Sequence, residues 1–197
     1  VLAGTGVVRA NGGDSTGTCG GGGRIALYYN AGDFNVLSNV SARGGEKWPG
    51  GGGCGTVYLK QPGQLGTVRI VSHGALVGAW TPLGLPGDST FFAENLVVAG
   101  SNVIITPEHQ LSVVVTSLSM HGGVMLTHHP VTPNAVYWLD VQCLESLHID
   151  LHSRVDADAR GYPRGYTVGN TAAGAATGQS AGSYGGMGIS QAGEANR

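Results

Sequence analysis

Asp156 and Asp158 stand two residues apart, so on an extended strand their carboxylates share one face, which Arg160 continues and Arg164 flanks. Paired carboxylates beside an arginine can hold Ca²⁺ and polarise a uronic acid. His148, Asp150 and His152 alternate in the same way, with Ile149 and Leu151 on the opposite face. Two imidazoles and a carboxylate about 7 Å apart along a strand share a metal only with a loop's help, and His128-His129 is a source of a further ligand. Each set also has a plainer reading. Asp156 and Asp158 suit a solvated strand end with a local Asp–Arg pair of small energetic value. His148, Asp150 and His152 suit the wet face of a strand whose Ile149 and Leu151 enter a core. The plainer readings are preferred, because a metal centre needs converging ligands. No His-Glu-x-x-His or Cys-x-x-Cys spacing is present. No catalytic residue is therefore assigned, the chain is not read as an enzyme, and no cofactor is expected beyond a Ca²⁺ ion that carboxylates could take.

The elements that must position these groups are strands. Glycine supplies 36 of 197 residues, yet hydrophobic residues reach 41% and charged ones only 11%, enough apolar material for a core rather than a disordered linker. Collagen is excluded because glycine does not recur at every third position. A formal net charge of -2 leaves no footprint for nucleic acid. The apolar runs are too short for a helix to cross a membrane. Short β-branched or aromatic runs bounded by Gly, Pro, Asn or Asp recur throughout, among them Arg24 to Tyr29, Val36 to Ala42, Thr56 to Leu59, Val68 to Ser72, Val136 to Leu139 and Leu147 to Leu151. Nothing reads as a helix. Composition divides the chain into glycine-rich coils over 1–60, glycine-poor coils over 61–152 and a Gly/Ala/Ser-rich coil or loop over 153–197. The absence of an initial methionine and the ending inside a low-complexity stretch suggest one segment of a larger chain.

An internal repeat organises the first zone. Ala10-Asn11-Gly12-Gly13 matches Ala42-Arg43-Gly44-Gly45, and Gly23 to Leu27 matches Gly55 to Leu59, both at an offset of 32 residues. A third copy begins at Val68 and decays. Such a period, holding only strands and turns, suits one coil of a β-solenoid, with Ile25 over Val57 and Leu27 over Leu59 as inward ladders. The competing reading is an antiparallel sandwich. Runs Gly20 to Gly23 and Gly50 to Gly53 would form wide loops needing positive φ and close backbone approach. The cysteines are Cys19, Cys54 and Cys143. Cys19 and Cys54 lie in the two matched loops, one repeat plus three residues apart. Coils stacked at about 4.8 Å would bring folded-back loops within disulfide reach, so a Cys19–Cys54 bond is expected, with Cys143 buried or paired to another chain. Three reduced cysteines acting as small hydrophobes are the alternative. Asn39-Val40-Ser41 is an N-glycosylation sequon, so Asn39 is a candidate acceptor.

Taken together, the strings around Ala10 to Gly13, Gly20 to Tyr29 and Ala42 to Gly45, then Val155 to Tyr166 and Ala181 to Gly188, resemble a glycine-rich repeat of very large extracellular proteins of bacteria, protists and algae. Val155-Asp156, Arg160-Gly161-Tyr162 and Ser183-Tyr184-Gly185-Gly186 carry the resemblance, while Ala159 stands where that repeat has glycine. It implies an all-β, right-handed parallel β-helix similar to pectin lyases, with long glycine-rich loops. It also implies a scaffold, adhesive or filament role without catalytic residues.

The expected function is thus a structural segment of a secreted or cell-surface rod or filament, its partners being neighbouring segments or copies of the same protein. One alternative is a glycan-binding adhesive module presenting Tyr28, Tyr29, Trp48 and Tyr162. A second is a polysaccharide lyase or hydrolase.

Overall fold

The computed structural model describes residues 1–47, 49–167, 170–171, 180–182 and 188–189. The described chain forms a mostly parallel β-solenoid of about five turns. Its strands are β1 (Val8–Arg9), β2 (Arg24–Tyr28), β3 (Val40–Ser41), β4 (Thr56–Lys60), β5 (Thr67–Val71) and β6 (Trp80–Leu83). They continue with β7 (Thr90–Ala99), β8 (Ile104–Pro107), β9 (Ser112–His121), β10 (Met125–Leu126), β11 (Asp140–Ile149) and β12 (Arg154–Val155). A small sheet pairs β1 with β3, a second runs β12-β10-β8-β6, and a long wall runs β11-β9-β7-β5-β4-β2.

The 32-residue repeat sets the register of the first rungs. Val8 pairs with Val40, Ile25 with Val57 and Leu27 with Leu59, all parallel. Val57 and Val40 are buried, and Ile25 and Leu27 pack against them with Leu59. The third copy at Val68 is a different object. After Lys60 the chain turns back through Gly63, and β5 runs antiparallel to β4. From there the rungs are parallel again but unequal: Thr67 stacks on Asn95, Leu96 on Leu118 and Leu118 on Leu147.

The reversal moves the core to the other face of the long wall. Across the antiparallel pair Val57 meets Arg69 and Tyr58 meets Val68. Directly paired residues point to the same side of a sheet. Ile25, Leu27, Val57 and Leu59 therefore share a side with Arg69, whereas Val68, Ile70, Leu96, Val98, Leu118 and Met120 occupy the other. That second side, covered by Leu83, Ile105 and Leu126 from the β6–β8–β10 sheet, is the main aliphatic core, with Ile70, Val98, Leu118 and Met120 fully buried. Lys60 Nζ at 2.8 Å and the Gly66 N–H both donate to the Glu94 carboxylate, tying both ends of the hairpin to β7.

Glycine serves different purposes in the two parts. In the first rungs the extended segments lie directly on one another: Gly20 N–H donates to Gly13 O within one coil, and Gly45 N–H donates to Gly20 O across coils. A β-carbon at Gly22 would lie 2.0 Å from the Ala42 carbonyl oxygen, and one at Gly52 would lie 2.1 Å from that of Gly20, while neither has positive φ. Close approach alone requires these glycines; the expected wide loops are compact, backbone-packed layers. Past the hairpin, glycine sits at corners: Gly100, Gly122 and Gly123 have φ of 119°, 84° and 102°, and Asn102 takes 58° in the same series of turns.

Two local expectations change, and one strand is added. Val36 to Ala42 is not one strand: Asn35 Oδ1 accepts the Leu37 and Ser38 N–H groups and nucleates one helical turn, α1 (Val36–Asn39), before β3. Val136 to Leu139 lies in the approach to β11. Strand β6 went unrecognised because Pro82 interrupts its pattern; it is tolerated because β6 is an edge of its sheet.

Candidate functional site

The last rung is the most exposed part of the wall. Eight residues of β11 pair with β9, a register shift at Leu144 and Glu145 interrupting the ladder, and among the described residues nothing pairs with its outer edge. Leu147 continues the column of Leu118, and Ile149 that of Met120. Leu118 and Met120 are fully buried, yet Leu147 is 50% exposed and Ile149 36% exposed. Val155, in register with buried Leu126, is 45% exposed on β12. Among the described residues, one rung therefore presents both an unpaired backbone edge and the apolar side chains that earlier rungs bury.

The residues singled out for metal chemistry hold turns instead. Asp150 Oδ2 accepts the Gly122 N–H at 2.7 Å, and Oδ1 accepts the N–H groups of His152 at 3.2 Å and Ser153 at 2.9 Å. Hydrogen bonding from Ser153 and then from the Gly122 N–H holds its carboxyl down to about 2. His148 points elsewhere, its ring 4.9 Å from that of His121. Strand β11 ends at Ile149, so Leu151 does not enter the core; it sits in the turn at 93% exposure. Asp156 and Asp158 lie beyond β12 in a turn rather than on one strand face. There Asp156 accepts the Asp158 N–H and the Arg154 Nε–H, both at 2.9 Å, and these two contacts lower its pKa in that order. Arg160 leaves the acidic pair and lies 5.6 Å above the Trp80 ring. Among the described residues no three His, Cys, Asp or Glu side chains converge as a metal site would require.

Cys19, Cys54 and Cys143 are free thiols, so the expected Cys19–Cys54 bond is not formed. The parallel register that pairs Arg24 with Thr56 places Gly22, not Cys19, opposite Cys54. Cys54 is buried in the aliphatic core, which pushes its thiol pKa up. Cys19 lies near the Ser15 carbonyl oxygen at 3.9 Å. Asn39 ends α1, where its side-chain oxygen accepts the Ser38 hydroxyl. Tyr28 is 73% exposed and packs edge-on to Tyr58, whereas Trp48 and Ser183 to Gly186 fall outside the described residues.

Three groupings escaped the sequence reading. Gly13-Asp14-Ser15-Thr16-Gly17 has the spacing of a nucleophile elbow. No helix follows it, however, and the Ser15 Oγ accepts the Gly17 N–H at 3.0 Å in an exposed turn. Trp80, His129 and Tyr137 form an aromatic row with centroids 4.6 and 5.3 Å apart. Finally, Arg9, Asn11, Asn39, Ser41, Arg43 and His73 line a polar cleft of about 260 Å³ beside the first rungs. Arg69, on the same side of the wall, lies against the adjoining core end with His73. The only trace of this cleft in the sequence is the repeat column that sets Asn11 against Arg43, where Asn11 Oδ1 accepts the Arg43 N–H at 3.1 Å.

No protein family model, curated protein or solved structure matches this chain.

Proposed function

We propose that this chain is a structural segment of an extracellular or cell-surface rod, built by stacking β-solenoid rungs end to end. The open rung at β11 carries the reading. It couples a strand edge that no described residue pairs to the exposed continuation of the buried Leu118–Met120 column. Such an edge is a template for another strand, and the occupant that fits is a further β-solenoid rung, from an adjoining segment or from a second copy. A parallel strand there would complete the backbone ladder and remove Leu147, Ile149 and Val155 from water.

Sedimentation velocity over a concentration series, with electron microscopy of the same samples, tests this. The expected result is concentration-dependent, end-to-end association that a Leu147→Lys/Ile149→Lys double variant suppresses without altering the circular dichroism spectrum. A chain that stays monomeric at all concentrations, or that associates equally well with both lysines in place, would overturn it.

A further inference from the structure

The cleft beside the first rungs gathers positive charge in a chain whose formal net charge is -2. Arg9 and Arg43 reach it from the outer face of the β1–β3 sheet, and His73 closes it from the corner after β5. Arg69 lies behind His73, half-buried against Val57 and Val71. Among the described residues neither Arg9 nor Arg69 forms an ion pair. Arg43 is anchored on one side, with Nη1 donating to Asp14 Oδ1 at 3.3 Å and to the Gly44 carbonyl at 2.9 Å, and Glu46 at 3.9 Å. Those two carboxylates do not line the cleft. His73, which is not glycine, adopts φ of 50°. Side chains seldom take that left-handed geometry, and such strain clusters at ligand sites. Desolvation, followed by the fields of Arg69 and Arg43, holds the His73 imidazole below its usual pKa, so near neutral pH it offers hydrogen bonds rather than charge.

The remaining walls are amides and hydroxyls. Asn11 is fixed by the Ser41 hydroxyl, which donates to its Oδ1 at 2.7 Å, so its NH₂ group is left to donate outward. Asn39 stands on the rim. Guanidinium groups match a carboxylate or a sulfate, and neutral donors match hydroxyls. No Phe, Tyr or Trp is among the residues that line the cleft.

We propose that this cleft binds an acidic saccharide, its carboxylate or sulfate held by Arg9 and Arg43 with Arg69 supplying field from behind, and its hydroxyls held by Asn11 and Ser41. The site is separate from the β11 end, so it survives or fails independently of rod assembly.

Isothermal titration of the 197-residue chain with oligogalacturonate, sulfated dextran and neutral dextran tests it. Oligogalacturonate or sulfated dextran should bind and neutral dextran should not; which acidic polymer binds identifies the anion. Arg9→Gln and Arg69→Gln should each weaken binding by about tenfold. Arg24→Gln, on the opposite face of the wall, should leave it unchanged, with all three variants keeping the wild-type melting temperature. Absence of binding to both acidic polymers, or an equal loss in Arg24→Gln, would overturn the assignment. If Arg9→Gln fails to fold, Arg9→Lys replaces it, with a smaller loss expected because a point charge cannot form the bidentate contact.

Discussion

The rungs before the β4–β5 hairpin and those after it solve the same stacking problem in opposite ways. Before it, much of the interior is backbone laid on backbone, hydrogen-bonded within and between coils, with a small side-chain cluster around Val40, Ala42 and Val57. After it, the interior is a continuous aliphatic core, and glycine retreats to the corners. The first design tolerates no β-carbon at its contact points; the second tolerates no missing methyl in its columns. Glycine content alone therefore does not measure looseness. The glycine-richest layers here are the ones with the least room.

The sharpest way to break this contrast is Gly22→Ala. Its β-carbon would meet the Ala42 carbonyl oxygen at 2.0 Å, and a carbonyl cannot rotate aside as a side chain can. The expected loss exceeds about 4 kcal/mol, by separation of the first rungs, in chemical denaturation. Gly13→Ala is its control: nothing lies within 4 Å of the added carbon and φ is not positive. It should change stability by less than about 0.5 kcal/mol.

Next in size is Leu118→Ala, which removes a fully buried side chain from the aliphatic core. It should cost about 2–5 kcal/mol by the same measurement. Leu147→Ala, one rung along in the same column but half-exposed, should cost less than about 1 kcal/mol in dilute monomer. Equal losses would mean that the last rung is covered in solution.

The smallest effect belongs to Asp150. Its carboxyl is held at about 2, below the ordinary 3.8. Its contribution is therefore complete above pH 3.8 and is lost as pH falls towards about 2. Asp150→Asn should remove that segment of the acid unfolding profile and leave the rest of the curve parallel to wild type. An identical acid profile in the variant would show that the corner turn does not depend on the carboxylate.

The fold is legible wherever like residues recur at one spacing. Ile25 over Val57 and Leu27 over Leu59 follow from the repeat, and the structure has them in that register. The later rungs give no such signal, because their steps differ from one to the next. Each corner accommodates a loop of its own length, so only the alternation within β7 and β9 shows. The change of core face was hidden for another reason. Val57 and Val68 are equally apolar, and alternation alone does not say to which side of a sheet an element turns its apolar residues. Asp150 was misjudged because its spacing from His148 and His152 was read along a strand, whereas short carboxylates near a corner are captured by backbone N–H groups. The basic cleft escaped because Arg9, Arg43 and His73 meet only once coils are stacked.

The change of face also has a mechanical meaning. Two interiors on opposite sides of one wall cannot be coaxial; with sheets packing about 10 Å apart, their centres are displaced sideways by a distance on that order. A tensile load along the stack therefore acts off-centre and bends the wall where β4 meets β5. That seam is joined by three residue pairs, Val57–Arg69, Tyr58–Val68 and Leu59–Thr67, against nine between β7 and β9. It is also the seam closed by a hairpin, so it can yield without the two halves parting. Bending there would load the Lys60–Glu94 contact together with two other bonds that cross from the first rungs to the later ones, from the Thr81 hydroxyl to the Cys54 carbonyl and from the Gly78 N–H to the Gly51 carbonyl.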